Sequence, residues 1–474
     1  MGYQNRNFSS VVSLAGLVLF VGAAAGGDCG TWTEVSVPSF GVVRDIIFDV
    51  DAKAGPVHLL MGSKDNMIVD GDQHFHVLRR EGNAWVDLGE PDVSSIESVS
   101  FGHEGVIWSA MAVGSDGSVW IGGEHEPLAQ VNRGYQRPVF AHWSPGSGWS
   151  EPVSVVLATV TVEPFSPRGG SVLDMAIAPD GTVFASGLSG GWGGLSENNG
   201  SIPMLIRHDA SGWQEINVPD RDWPGVRGVT DANGVVAFAA DDILTAGRHP
   251  GGNGVGSGTL IVSYTPSTGD TFVETPAWGG GANRMVANDI DATAPDNIWV
   301  VGEGGLLSET SLLMRFDGSE WSIFPSPFPE RNALQDVVVL PNGRAWAFPS
   351  TPGTAPGLLA MLDGSQWSAA DFLPDTPGSI NAINAATADA DGVVWVGGRV
   401  IHDHGEVRGF VALHHACDGC PADLTGDGTL NFFDVSAFLN AYNAMDPIAD
   451  FTNDGVFNFF DVSAFLNAYN AGCP

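Results

Sequence analysis

The chain has 474 residues, a formal charge of −36, 63 glycines and 29 prolines, and lysine is nearly absent. Such acidity speaks against nucleic acid or an anionic membrane surface as partner, since both demand the opposite sign. The length calls for two or more domains, and the Gly/Pro content with Trp- and Phe-rich aromatics suits short strands joined by tight turns.

At the N-terminus Arg6 precedes an apolar run from Val11 to Val21 and then Ala23-Ala24-Ala25-Gly26-Gly27. A positive start, a short apolar stretch and an A-x-A site predict a secretory signal peptide over residues 1–27. The run is too short for a membrane span. The expected mature chain is therefore secreted or held at the cell surface, where its four cysteines can be oxidised.

From 28 to 417 two phrases alternate. The first is strand, turn, strand, as in LDMAIAPDGTVFASG (173–187), QDVVVLPNGRAWAFP (335–349) and NAATADADGVVWVGG (384–398). The second is a hairpin ending on an aromatic, as in LIRHDASGWQEI (205–216) and LMRFDGSEWSIF (313–324). Asp-Gly and Asn-Gly pairs mark turns, and alternating apolar residues mark half-buried strands. Four strands repeated at roughly fifty residues predict the blades of a β-propeller. The hairpin aromatics Trp32, Trp85, Trp149, Trp213, Phe272, Trp321 and Trp367 suggest seven of them.

The last blade is split. GFVALHHAC (409–417) starts a hairpin that lacks its tryptophan, and CGTWTEVSV (29–37) supplies one from the other chain end. Joining the two closes the ring and leaves no free sheet edge. Four cysteines allow three pairings. Cys29 and Cys417 fall at the broken turn, so a disulfide there would replace it, and Cys420 and Cys473 would tie the ends of the tail. Cys417-x-x-Cys420 also has the spacing of a redox or zinc pair.

Asp45, Asp174 and Asp336 fall at equivalent places near the start of a first strand, with Asp289 and Asn384 close to that register. First strands line a propeller's channel, so these five form a possible ring at its mouth, polar or cation-binding. The histidines His58, His103, His142, His208 and His249 make no HExxH or comparable motif, and His402-Asp403-His404 is a loop candidate for a metal. The repeats resemble the DG-x-[LV]-W-[IV]-G phrases of two-component-regulator and related sensor propellers, which implies the fold and not the function. Sialidase Asp-boxes, S-x-D-x-G-x-x-W, are a poor match.

The tail, 418–474, nearly repeats itself: DLTGDGTLNFFDVSAFLNAYNA (423–444) returns as DFTNDGVFNFFDVSAFLNAYNA (450–471) with four of 22 positions changed. Calcium-loop ligand positions 1, 3, 5, 7, 9 and 12 fall on Asp423, Thr425, Asp427, the carbonyl of Thr429, Asn431 and Asp434. In the second copy they fall on Asp450, Thr452, Asp454, the carbonyl of Val456, Asn458 and Asp461. Gly428 and Gly455 sit at the sharp turn. Each loop predicts a following helix, with Val435, Phe438, Leu439 and Tyr442, then Val462, Phe465, Leu466 and Tyr469, as its apolar stripe. Neither stripe can be buried alone, so the duplication makes each half the other's partner.

This pattern resembles a type I dockerin over residues 421–474. The resemblance implies two Ca2+ ions and docking onto a cohesin-like or cell-surface protein. It departs from the family at loop positions 10 and 11, here Phe432-Phe433 and Phe459-Phe460. The expectation is a mostly β chain: a seven-bladed propeller acting as a non-catalytic glycan- or protein-binding module, with a small α-helical calcium tail. The alternative is a secreted carbohydrate-active enzyme, a glycoside hydrolase or polysaccharide lyase.

Overall fold

The computed structural model describes residues 32–41, 44–64, 73–96, 106–125, 136–157, 170–189, 202–216, 231–249, 258–265, 269–272, 285–304, 310–328, 333–349, 357–363, 366–372, 379–402, 405–415, 422–424, 430–452 and 456–471. The predicted signal segment 1–27 and all four cysteines lie outside these residues.

Strands pair in chain order. Gly170–Ile177, Val183–Ser189, Ile202–Asp209 and Gly212–Glu215 form one antiparallel sheet, and the segments 231–272, 285–323 and 334–372 form three more of the same order. Between 106 and 154 the third strand, Arg137–Ser144, carries two short partners, Gly148–Trp149 and Val153–Ser154. The remaining two four-strand groups, 44–87 and 379–415 with Trp32–Glu34, are joined by a single parallel pair, Arg44 with Val407. The first strand of each group touches the first strand of the next, and Ser379–Ala388 returns to Arg44–Asp51. The body is therefore mostly β and propeller-like, with its first strands innermost.

The split hairpin pairs as the sequence predicts. Trp32 faces His414 and Thr33 faces Leu413, the same register in which Trp321 faces Phe316 and Ser322 faces Arg315. Hairpin tryptophans then reach back to the preceding sheet. Trp32 meets Trp346 edge-on at 5.5 Å, as Trp213 meets Trp120 at 5.7 Å and Trp367 meets Trp299 at 5.1 Å. Each such contact contributes about 0.5–1.5 kcal/mol beyond simple burial, and it seals a joint between sheets.

Where a glycine closes the first phrase, it is a packing requirement. A Cβ on Gly123 would lie 1.9 Å from the Ile107 carbonyl, and one on Gly302 1.9 Å from that of Val286. Both carbonyls belong to an innermost strand just before a bulge.

In the tail, helix α1 spans Phe432–Ala444 and helix α2 spans Phe459–Ala471. Phe438 and Phe465 stack face to face, 4.1 Å apart and 5° from parallel, and share a small core with Ala422 and Ala449. One correction applies to the predicted stripe. Leu439 and Leu466 are 55 % and 45 % exposed, while Ala441 and Ala468 pack on the core in their place. The stacked pair is the fully buried centre of the contact, with Val435, Ala441, Val462 and Ala468 packed beside it, so only a narrow seam is buried. No helix among the described residues is long and apolar enough to cross a membrane.

Candidate functional site

Every innermost strand breaks its ladder at the same point. Against the second strand the register skips Phe48, Ser109, Leu173, Asn233, Asn288, Gln335 and Asn384. A bulge of this kind re-aims the side chains beside it. The residue after the bulge is an aspartate in four strands, and each carboxylate reaches the next strand of the ring. Asp49 accepts from the Met111 N–H at 2.6 Å and Asp174 from Val235 at 2.7 Å. Asp289 accepts from Val337 and Asp336 from Ala386, both at 2.9 Å.

Where that position is Ala110, Gly234 or Ala385, the bulged residue ties the joint in the opposite sense. The Ser109 hydroxyl donates to the Val172 carbonyl at 2.7 Å, the Asn233 amide to Ala287 at 2.7 Å, and the Asn384 amide to Ile47 at 2.6 Å. A second tier repeats the aspartate tie: Asp51 accepts from Val113 and Asp291 from Val339, each at 2.8 Å.

These strands enclose a cavity of about 330 Å³. Its polar wall is Asp49, Asp51, Lys53, Asp174, Asp289, Asp291, Asp336 and Thr387, set among apolar groups such as Met111, Val236 and Phe238. Lys53 reaches across the ring, its Nζ 2.7 Å from Asp291 Oδ1. Its side chain keeps 60 % of its surface exposed, so this end of the cavity is open to solvent.

Burial and mutual repulsion discourage ionisation here. Burial, then the charge of Asp289, pushes Asp174 up to about 7. Burial, with Asp291 adding to it, raises Asp289 to about 6. Asp49 and Asp336 are raised well above the carboxylate range, again by burial first. The surrounding protein would lower the Lys53 ammonium, but the adjacent Asp291 carboxylate outweighs this and holds it above the usual lysine range.

Of the five residues predicted to form a ring, Asp174, Asp289 and Asp336 share the cavity. Asn384 lies on the same tier with its amide turned to Ile47. Asp45 does not belong to it. Its Oδ1 accepts from the Gly41 N–H at 2.8 Å, and its Oδ2 lies 2.7 Å from the Ser39 hydroxyl and 3.1 Å from Arg408 Nη1. There it anchors the N-terminal segment to the strand Val407–His415. The ring member from Asp45's own strand, Arg44–Asp51, is Asp49.

No histidine lines the cavity among the described residues. His58 meets the Pro56 carbonyl, His125 meets Ser154, and His142 and His208 pack on Trp120. His103, Asp403 and His404 lie outside the described residues, and among those described no three His, Cys, Asp or Glu side chains are spaced to hold a metal.

The tail loops are described in part: Asp423, Asn431, Asp434, Asp450, Thr452, Val456, Asn458 and Asp461 are placed, while Thr425, Asp427, Thr429 and Asp454 lie outside the described residues. Positions 9 and 12 double as helix caps. Asn431 Oδ1 accepts from the Phe433 N–H at 2.7 Å, and Asp434 Oδ2 accepts from the Asn431 N–H at 2.9 Å. Asn458 and Asp461 repeat this box at 2.7 and 2.8 Å. Thr452 Oγ1 lies 2.8 Å from Asp461 Oδ1 and 3.5 Å from Asp450 Oδ1. Loop positions 1, 3 and 12 thus converge with oxygen donors only, which fits a hard cation such as calcium.

No protein-family model matches the chain, and no curated protein matches its sequence. Solved structures do resemble it. The polysaccharide lyase Uly1 is 10% identical with a TM-score of 0.50, covering 80% of this chain and 91% of its own. The WD40 β-propeller domain of Doa1 is 11% identical with a TM-score of 0.43 over 80% and 96% of the two chains. YCF48 from Cyanidioschyzon merolae is 13% identical with a TM-score of 0.43 over 81% and 98%. At these identities the likeness is one of fold, a propeller-like ring of antiparallel sheets around a central cavity.

Proposed function

We propose that the chain is an exported seven-bladed β-propeller that binds a ligand without cutting it, docked through a two-calcium tail. Seven bulged inner strands supply the blades, and Trp32–Glu34 completes the last. The observation behind the non-catalytic reading is the tie made by every ring carboxylate. Asp49, Asp174, Asp289 and Asp336 each hold the next strand through one oxygen, so they serve the joints of the ring. No tyrosine, histidine, serine or cysteine lines the cavity among the described residues to act as nucleophile or base beside them.

In the tail, Asp423, Thr425, Asp427, Thr429, Asn431 and Asp434 would hold one Ca2+, and Asp450, Thr452, Asp454, Val456, Asn458 and Asp461 the other. Bound calcium neutralises the loop carboxylates and fixes both entry turns. Phe432 and Phe459 are each 75 % exposed, and Phe433 and Phe460 lie beside them at the start of each helix. Paired exposed aromatics suit a partner surface, a cohesin-like or cell-surface protein. Disulfides Cys29–Cys417 and Cys420–Cys473 would fasten the split blade and the tail ends. The pairing of Trp32 with His414 supports the first, because each cysteine is three residues beyond that pair. Non-reducing peptide mapping should find both, and a Cys417–Cys420 bond would overturn the assignment.

A second reading, a hydrolase or lyase acting on polysaccharide, is favoured by one feature. Burial raises Asp174 to about 7 and Asp289 to about 6, the range in which a carboxyl can serve as general acid. Purified protein screened against a polysaccharide panel, for binding and cleavage, separates the two. We expect binding without cleavage, and the variant Asp174→Asn with Asp336→Asn should stay folded and lose at most about tenfold in affinity. Wild-type cleavage that this variant loses while still binding would establish the enzyme instead.

A further inference from the structure

The central cavity already contains one cation. Lys53 and Lys64 are the only lysines in the chain, and Lys53 spans the ring to a carboxylate 238 residues away. Its exposed stem enters from the open end, and its Nζ rests on Asp291. An ammonium group carries three donors and no acceptor, which matches a wall built of carboxylates.

The wall also retains capacity that the protein leaves unused. Thr387 is 2 % exposed, lines the cavity, and its Oγ1 has no hydrogen-bond partner. It is the third residue after the bulge in its strand, the place held by Asp51 and Asp291 in theirs. Those two tie the next strand, whereas Thr387 ties nothing. Asp336 Oδ1 is likewise buried and without a partner, although Oδ2 of the same carboxylate holds Ala386. A buried polar atom left without a partner is costly, so these two atoms mark where a ligand's donors would be welcome.

The geometry points to a binding site for a primary ammonium group on a short alkyl chain, with Lys53 as a tethered competitor for the ammonium position. This rests on the reading of the cavity as the body's ligand site. A metal fits less well, since Asp289 and Asp336 each commit one oxygen to the next strand's backbone N–H, Asp49 and Asp174 commit both of theirs to backbone N–H groups, and no three acidic groups among the described residues are spaced for chelation. Met111, Val236 and Phe238 offer the apolar surface that an alkyl chain requires.

The test is isothermal titration of the full chain with 1,5-diaminopentane, with calcium present at saturation for the tail and at physiological salt. Wild type, Lys53→Met, and Lys53→Met combined with Asp291→Asn are compared. Removing the tethered ammonium should tighten diamine binding by roughly tenfold or more. Adding Asp291→Asn should cancel that gain, and 1,5-pentanediol, which lacks the charge, should bind none of the three. Equal affinity in wild type and Lys53→Met would mean nonspecific attraction to an acidic surface and would overturn the assignment, as would no binding at all. Displacement of the diamine by further calcium would show a metal site and also overturn it. If Lys53→Met fails to fold, Lys53→Gln answers by the same criteria. Polysaccharide cleavage in the panel above would remove the non-catalytic reading and leave this assignment standing.

Discussion

Chelating calcium should unfold the tail and leave the body intact. Far-UV circular dichroism of the full chain should lose the helical signal of 432–444 and 459–471 on adding chelator and regain it with calcium, while the β signal persists. The reason is the size of the tail's core. Ala422, Phe438, Ala449 and Phe465 are its only fully buried apolar residues among those described. A unit of this size seldom folds on its hydrophobic core alone. Asp434 and Asp461, by contrast, are fully buried at the helix starts, each with further loop carboxylates predicted close by. Without a cation those charges repel. With one, calcium at 1,000 times its dissociation constant stabilises the fold by about 4 kcal/mol. Asp461→Ala should abolish one of two titratable sites and loosen both halves, because Phe465 stacks on Phe438. A helical signal unmoved by chelator, or a stoichiometry other than two, would defeat the calcium reading.

How much of this was legible in the sequence varies with the kind of constraint. The split blade was legible because hairpin register is local: three residues on either side of a missing turn align 412–414 with 32–34. Two of the ring aspartates stand out in the sequence because a turn follows at a fixed distance. Asp174 precedes Asp180 of its Asp-Gly turn by six residues, and Asp336 precedes Asn342 of its Asn-Gly turn by six. RDIIFDVDAKAGP offers Asp45, Asp49 and Asp51 with no such turn to count back from, so the sequence does not separate Asp49 from Asp45. Counting would not have revealed the bulge either. It breaks the two-residue period at the position that matters, and period two is the signal by which a strand is read.

Lys53 was missed for a different reason. It lies beyond the end of its strand, and its partner Asp291 comes from a distant repeat, so no local pattern links them. The acceptor ties (Asp49, Asp174, Asp289, Asp336) and donor ties (Ser109, Asn233, Asn288, Asn384) are in principle readable. They need the bulge position first, and only then does each Asp-free strand show its Ser or Asn one residue earlier. In the tail, the calcium loops and the caps draw on the same residues, so one pattern served for both. The helix stripe differs at one place in each copy, where Ala441 and Ala468 pack instead of Leu439 and Leu466, because apolar character alone favours the larger leucine over an alanine two residues on.

The second large effect expected is on stability against pH, measured as the Tm of the body with calcium saturating. Asp174 is raised to about 7 and Asp289 to about 6, with Asp49 and Asp336 also raised. A carboxyl whose folded value lies above its unfolded value stabilises most when protonated in both states. That contribution declines from about pH 4 upward and is gone once pH passes the folded value. Histidines work the other way. Burial lowers His58, His142 and His208, and lowers His125 to about 4, so their contribution is present above about 6.5 and lost as pH falls. Below about 6.5 the two sets oppose each other. Above it only the carboxylates still titrate, facing Asp51, Asp291 and the single cation Lys53 across the cavity. Tm should therefore fall by a few °C between pH 6.5 and 8.5 as Asp174 and the other raised carboxyls finish ionising, unusual for a protein rich in acids. Asp174→Asn with Asp336→Asn should flatten that alkaline decline and leave the acid side unchanged. A Tm that holds or rises through this range in the wild type would mean that the ring carboxylates are ionised at neutral pH, each tied N–H then serving a charged acceptor.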